Sequence, residues 1–259
     1  MLHHRLFCSG VEIRLRRLSF IVLVCVLTSC FVSWTNNTAW ANSAGAINRR
    51  AKPCAPPQKP PSIVVHVQAR QPVIDHTLTR EDLKRFQVAT VSPYEDSNNV
   101  HVNGIMRGSI SVETQSGVAW QYSGSGDDNC FWFDQIEVTL RLSPIIYIAR
   151  EIPYGSCLYK EVMLHEYKHF ETDFKVAKDY QIILDSELGR MTRQIGVIGP
   201  FARDAGMRPK QDLLKRLDVT VSGISERMKN DRLRRQALID TREEYDRVAA
   251  ACPDDIRKY

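Results

Sequence analysis

Cys157 to Leu188 reads CLYKEVMLHEYKHFETDFKVAKDYQIILDSEL, and its centre, His165-Glu166-Tyr167-Lys168-His169, is an H-E-x-x-H pattern. From Leu158 to Leu188 there is no Gly and no Pro. Val162, Leu164, Phe170, Phe174, Val176, Ala177 and Ile182 to Leu184 recur mainly at three- and four-residue spacings. That periodicity predicts one amphipathic helix. Pro153-Tyr154-Gly155 supplies turn chemistry ahead of it, Ser156 is the expected N-cap and Gly189 the expected stop. Residues four apart on a helix lie about 40° apart around the axis and one turn apart along it, so both imidazoles can reach one ion. This spacing suits zinc, with His165 and His169 as ligands. Glu166, one residue past the first ligand, is placed to take a proton from water that zinc has acidified. The plainer alternative is an amphipathic core helix whose histidines are surface or hydrogen-bonded residues.

Ahead of this helix the chain changes character three times. Residues 1–41 carry Arg14, Arg16 and Arg17, an apolar run from Leu18 to Leu27, and Ala39-Trp40-Ala41, a small-x-small site for cleavage before Asn42. These are the parts of an export signal. Leu27-Thr28-Ser29-Cys30 resembles a bacterial lipoprotein box, which would end the signal before Cys30 and give that cysteine a lipid anchor. A third reading keeps the segment as an uncleaved anchor, although its apolar run to Trp34 falls just short of a comfortable span. Residues 42–61 hold Pro53, Pro56, Pro57, Pro60 and Pro61 among small and polar residues and read as a linker. Residues 62–259 are then expected to form a single α+β domain, a size one core can serve.

In the β-rich half, Ile63 to Val67 is a β-branched strand and Arg80 to Phe86 a short helix, with Thr79 as N-cap and Asp82 completing a capping box. Val100 to Glu113 reads as a hairpin turning at Asn103-Gly104, Trp120 to Tyr122 as a further strand, and Ser123 to Asn129 as a loop. Ile136 to Leu142 alternates apolar and polar residues as a half-buried strand does. The fold class expected is α+β: a small mixed or antiparallel sheet, then the long metal-binding helix, then a C-terminal helical region. Met191 to Gly206 reads as a connection. Pro209 to Ala251 carries a stripe of Leu214, Leu217, Val221, Ile224 and Met228 and is expected to fold back on the metal helix.

Cysteine usage fits export. Cys8, Cys25 and Cys30 lie in the leader, which leaves Cys54, Cys130, Cys157 and Cys252, an even number that suggests two disulfides with three pairings open. No C-x-x-C pair favours a cysteine-ligated zinc. The 35 basic and 30 acidic residues include four arginines and Glu12 in the first 41, so the remainder carries 31 − 29 = +2. Nothing concentrates that charge into a nucleic-acid footprint.

The residues resemble a bacterial family of secreted zinc-dependent proteases within the zincin group. The resemblance covers Val64 to about Tyr180: a strand followed by Thr79-Arg80-Glu81-Asp82-Leu83, then Trp120 with Cys130, then the strand ending at Ser143-Pro144, then His165 to Phe170. Lys168 stands where such proteins often have a small residue. The resemblance implies one Zn2+ per chain held by His165 and His169, Glu166 as general base, and hydrolysis of peptide or protein substrates in the envelope or outside the cell. It also implies an edge strand beside the helix that grips extended substrate, for which Ile136 to Leu142 is the candidate, a central strand being the alternative. A non-catalytic envelope scaffold or protein-binding module that keeps the helix is the reading from another class. The third ligand stays open. No Gly follows the motif before Gly189, so the metzincin pattern is absent. Asp173 stands about 12 Å along the helix axis from His165, and Glu187 about 27 Å beyond His169. Glu243, Glu244 and Asp246 remain as candidates on the last helical region.

Overall fold

The computed structural model describes residues 52–86, 101–122 and 128–258, all within a compact unit spanning Trp40–Tyr259. The expected export signal, Cys30 and the start of the expected linker lie outside the described residues. The fold is α+β, as expected, with two small mixed sheets packed along one long helix.

The first sheet is built on the longest strand, β5 (Asp128–Leu142), with β1 (Ser62–Ala69) parallel to it and β4 (Ile110–Tyr122) antiparallel on the other side. Ile63 pairs with Ile136 and Val67 with Leu140. A fourth strand, β7 (Ile198–Ala202), pairs with the N-terminal part of β5, beyond the stretch that β1 covers. Alternation along β5 sends Ile136, Val138, Leu140 and Leu142 to one buried face, as the pattern predicts. Its place in the sheet corrects the substrate-strand expectation: with β4 along one side and β1 and β7 along the other, β5 is central and offers no free edge.

The second sheet runs β2 (Val73–Asp75), β6 (Ile145–Ile148), β3 (Gly104–Arg107), with β2 parallel and β3 antiparallel to β6. The Asn103-Gly104 hairpin therefore does not form. Gly104 opens a strand, and the chain passes through Gly108 into β4 of the other sheet. The reason is packing: a Cβ on Gly104 would sit 2.4 Å from Val162 Cγ1 and 3.0 Å from Glu166 Oε1, so this glycine marks close approach to the helix rather than a turn. Helix α1 (Arg80–Lys84) has the expected capping box, Thr79 accepting from Asp82 N while the Asp82 carboxylate accepts from Thr79 N. Of the expected loop at Ser123 to Asn129, residues 123–127 lie outside the described residues, and Asp128 and Asn129 belong to β5.

The long helix is α2 (Cys157–Ile195), capped by Ser156, whose hydroxyl accepts from Tyr159 N, and further by Asp255 Oδ2, which accepts from Leu158 N at 3.1 Å. It runs past Gly189 and ends at Gly196, whose φ of 59° only glycine adopts readily. A lone glycine costs a helix about 1 kcal/mol, too little to stop one whose Leu188 and Met191 are still being buried. Its first turns pack Leu158 and Val162 on the second sheet with Ile105, Ile146 and Ile148. Its later turns pack Val176, Leu184 and Leu188 on β5. Leu164 and Ile182, counted in the apolar stripe, are exposed.

Past β7 and a short 3-10 turn (Arg203–Ala205), α3 (Arg208–Ala237) folds back on α2 and buries Leu213, Leu217, Val221, Ile224 and Met228. Leu213 rather than Leu214 opens that stripe. The second helical region is not continuous. It breaks after Ala237 and resumes as α4 (Arg242–Ala251), followed by α5 (Pro253–Lys258). The four cysteines form two disulfides, Cys54–Cys130, which fastens the proline-rich segment to β5, and Cys157–Cys252, which fastens the end of α4 to the start of α2. Two disulfides are compatible with an extracellular or periplasmic setting. Among the described residues no helix is long and apolar enough to cross a membrane.

Candidate metal centre

His165, Glu166 and His169 belong to neither apolar cluster, although Tyr167 between them still packs against the second sheet's core. All three side chains are nonetheless buried. The cover comes from the turn between α3 and α4. There Ile239 N donates to Gln236 O at 3.0 Å and Thr241 N to Ile239 O at 2.9 Å, and the Thr241 hydroxyl accepts from Glu244 N to start α4. This turn carries Asp240, whose side chain is 5% exposed, directly over the two histidines.

His165 Nε2 lies 3.3 Å from His169 Nε2 and 3.3 Å from Asp240 Oδ1, and His169 Nε2 lies 3.1 Å from the same oxygen. Tetrahedral coordination with bonds of about 2.0–2.1 Å separates its ligand atoms by about 3.3–3.4 Å. The triangle of two imidazole nitrogens and one carboxylate oxygen therefore matches three corners of a zinc site in both donor chemistry and spacing. Residues with this fit are His165, His169 and Asp240.

Each histidine is backed by an acceptor. His165 Nδ1 is 3.4 Å from Glu244 Oε1, and since a carboxylate can only accept, the ring nitrogen donates and leaves Nε2 for the site. Glu244 is in turn tied to Lys168 at 2.6 Å and to Arg247, which also reaches Glu161. The Arg247 guanidinium holds the Glu244 carboxyl down to about 2 against the opposing effect of burial, with Lys168 and His165 adding to it. His169 Nδ1 contacts Gln236 Oε1. Burial alone would lower the His169 pKa, but the carboxylates of Asp240 and Glu166 outweigh it and raise it. The Tyr245 ring meets the edge of His165, and its hydroxyl lies 3.4 Å from Asp240 Oδ1.

Glu166 is 5% exposed, and its Oε2 accepts from Met106 N at 2.6 Å. Burial raises its pKa, and the neighbouring imidazoles and the Met106 N–H only partly offset this.

The other sequence candidates stand elsewhere. Asp173, 3% exposed, pairs with Arg232 and stays outside the triangle. Glu187 pairs with Arg190 on the surface of α2. Glu243 is exposed, Asp246 is 61% exposed and lies near Arg242, and Glu244 faces the far side of His165. Asp240 is the residue that sequence reading missed. Thr241 followed by Glu244 has the spacing of a capping box, which marks a helix start and hence a break just before it.

Comparison with family models, with curated proteins and with solved structures finds no match to this chain.

Proposed function

We propose that this chain is a zinc-dependent peptidase with a His165, His169, Asp240 ligand set and Glu166 as general base, acting outside the cytoplasm. The observation that carries the reading is the convergence of three buried donor atoms at zinc-like spacing beside a buried glutamate one residue from the first ligand. When bound, zinc supplies Lewis-acid polarisation of a carbonyl and lowers the pKa of water. Glu166 takes a proton from the attacking water and returns it to the leaving amine. Its Oε2 accepts from Met106 N, which holds the carboxyl in place beside the triangle.

The strand suited to hold substrate is β3. Among the described residues it pairs with β6 alone, and its Met106 N–H turns to Glu166. A peptide extended along that edge lies next to the base, and pairing through backbone groups grips it with little regard to sequence.

The test is Glu166→Gln, which keeps size and helix propensity but cannot accept the proton. Zinc should stay bound while cleavage of a mixed peptide library falls by about 100- to 10,000-fold. Cleavage at the parent rate would return α2 to a scaffold.

A further inference from the structure

Behind His169, on the side away from the triangle, runs a chain of polar groups whose order is dictated by which of them can donate. Arg232 Nε donates to Asp173 Oδ1 at 2.7 Å and Arg232 Nη2 to Asp173 Oδ2 at 2.9 Å, a two-pronged pair. Asp173 Oδ1 also accepts from Gln236 Nε2 at 2.5 Å, and the same nitrogen donates to the backbone oxygen of His169 at 3.0 Å. A carboxylate and a carbonyl can only accept, so the amide NH2 of Gln236 must face them. The reversed amide would turn an oxygen onto two oxygens among side chains that are almost fully buried, where neither oxygen can donate.

That orientation fixes the other end. Gln236 Oε1 faces His169 Nδ1 as an acceptor and draws the proton of the neutral ring to Nδ1, against the Asp240 carboxylate 3.1 Å from Nε2, which draws it to the nitrogen in the triangle when no metal is there. We propose that Gln236, its amide locked by the Asp173–Arg232 pair, is a positioning residue that sets the His169 tautomer for metal binding. The proposal rests on the zinc reading of the site for its purpose, though not for its geometry. Two further contacts extend it. The backbone oxygen of Gln236 accepts from Ile239 N, so the residue that sets one ligand's tautomer also closes the turn that carries Asp240. Arg232 Nη2 donates to Gly108 O as well, which links the chain to the segment leaving β3. The two histidines are thus prepared differently, His165 by a charged acceptor and His169 by a neutral one.

The experiment is nitrogen-15 NMR of the imidazoles in the full metal-free protein, at a pH where the rings are neutral, with the His169 signals identified by their loss in His169→Gln. It is paired with chelator competition for zinc. The parent should show His169 protonated at Nδ1. Gln236→Met keeps length but neither donates nor accepts. It should let Asp240 draw the ring proton toward Nε2 and weaken zinc binding by about 10- to 100-fold, the usual effect of removing such a partner. A parent ring protonated at Nε2 overturns the proposal without any variant. Gln236→Met with unchanged tautomer and zinc affinity overturns it too. A parent with the expected, Gln236-dependent tautomer but no zinc binding leaves the tautomer lock standing and sinks the zinc reading instead.

Discussion

Asp240→Ala is the perturbation that separates this metal site from every other way of completing it. Structural zinc sites bind with apparent free energies of about 10–16 kcal/mol spread over four ligands, or about 2.5–4 kcal/mol for each. At about 1.4 kcal/mol per tenfold, loss of one ligand weakens binding by about 100- to 1,000-fold. The lower end applies here, because truncating a side chain that is 5% exposed leaves room for water to take the vacated place. Asp240→Asn keeps the shape and should fall between the parent and the alanine variant. Glu244→Gln removes only the charge behind His165 and should cost about 10- to 100-fold. Asp246→Asn and Glu243→Gln alter exposed carboxylates and should leave zinc affinity unchanged. The assay is competition with a chromogenic chelator, checked by metal content after gel filtration. Asp240→Ala binding zinc as tightly as the parent, or Asp246→Asn or Glu243→Gln losing it, refutes the assignment.

Thiol titration of denatured, unreduced protein should find Cys54, Cys130, Cys157 and Cys252 all blocked, and opening either disulfide should destabilise the fold by up to about 4–5 kcal/mol, given separations of 76 and 95 residues. Gly104→Ala places a Cβ 2.4 Å from Val162 Cγ1, so β3 must retreat from α2; a loss of about 1–3 kcal/mol in urea unfolding is expected, and a variant as stable as the parent would mean the strand does not sit so close. The folded pKa of Glu244 is held down from 4.5 to about 2, so its contribution is complete above pH 4.5 and disappears as pH falls toward 2. The stability gap between metal-free parent and Glu244→Gln should therefore narrow over that interval, and a constant gap would mean that Arg247 and Lys168 do not hold the carboxylate.

What the sequence made legible was local. The Ser156 cap, the Thr79–Asp82 capping box, the alternation from Ile136 to Leu142 and the spacing of His165 and His169 each rest on residues within a turn or two of one another, where propensity and periodicity act directly. The errors share a cause as well. Gly104 after Asn103 has the composition of a hairpin turn, and Gly189 that of a helix stop, but tertiary packing overrode both: one glycine lets a strand lie on α2, and the other sits in a helix held by Leu188 and Met191. The alternation along β5 located its buried face and could say nothing about its edges, because which strands flank it depends on segments as distant as β1 and β7.

Asp240, the third donor of the triangle, was hidden for the same reason, yet its neighbourhood follows from the helix pair. From His169, α2 continues to Ile195, roughly 26 residues, before the chain turns. A helix returning antiparallel covers the same distance in the same count, and from Arg208 that brings it level with His169 near Arg234, just short of Gln236 and Asp240. Counting therefore selects the segment from about Arg234 to Glu244, and the capping box decides within it. Once Thr241 starts a new helix, Glu243 and Glu244 belong to its first turn. There Glu243 is exposed and Glu244 is drawn to Lys168 and Arg247 behind His165. Asp240, one residue before the cap, is held by the turn with its carboxylate toward both Nε2 atoms. The break between α3 and α4 is thus what completes the site, since on an uninterrupted helix Asp240 would follow Gln236 by one turn along the same axis instead of closing over the histidines.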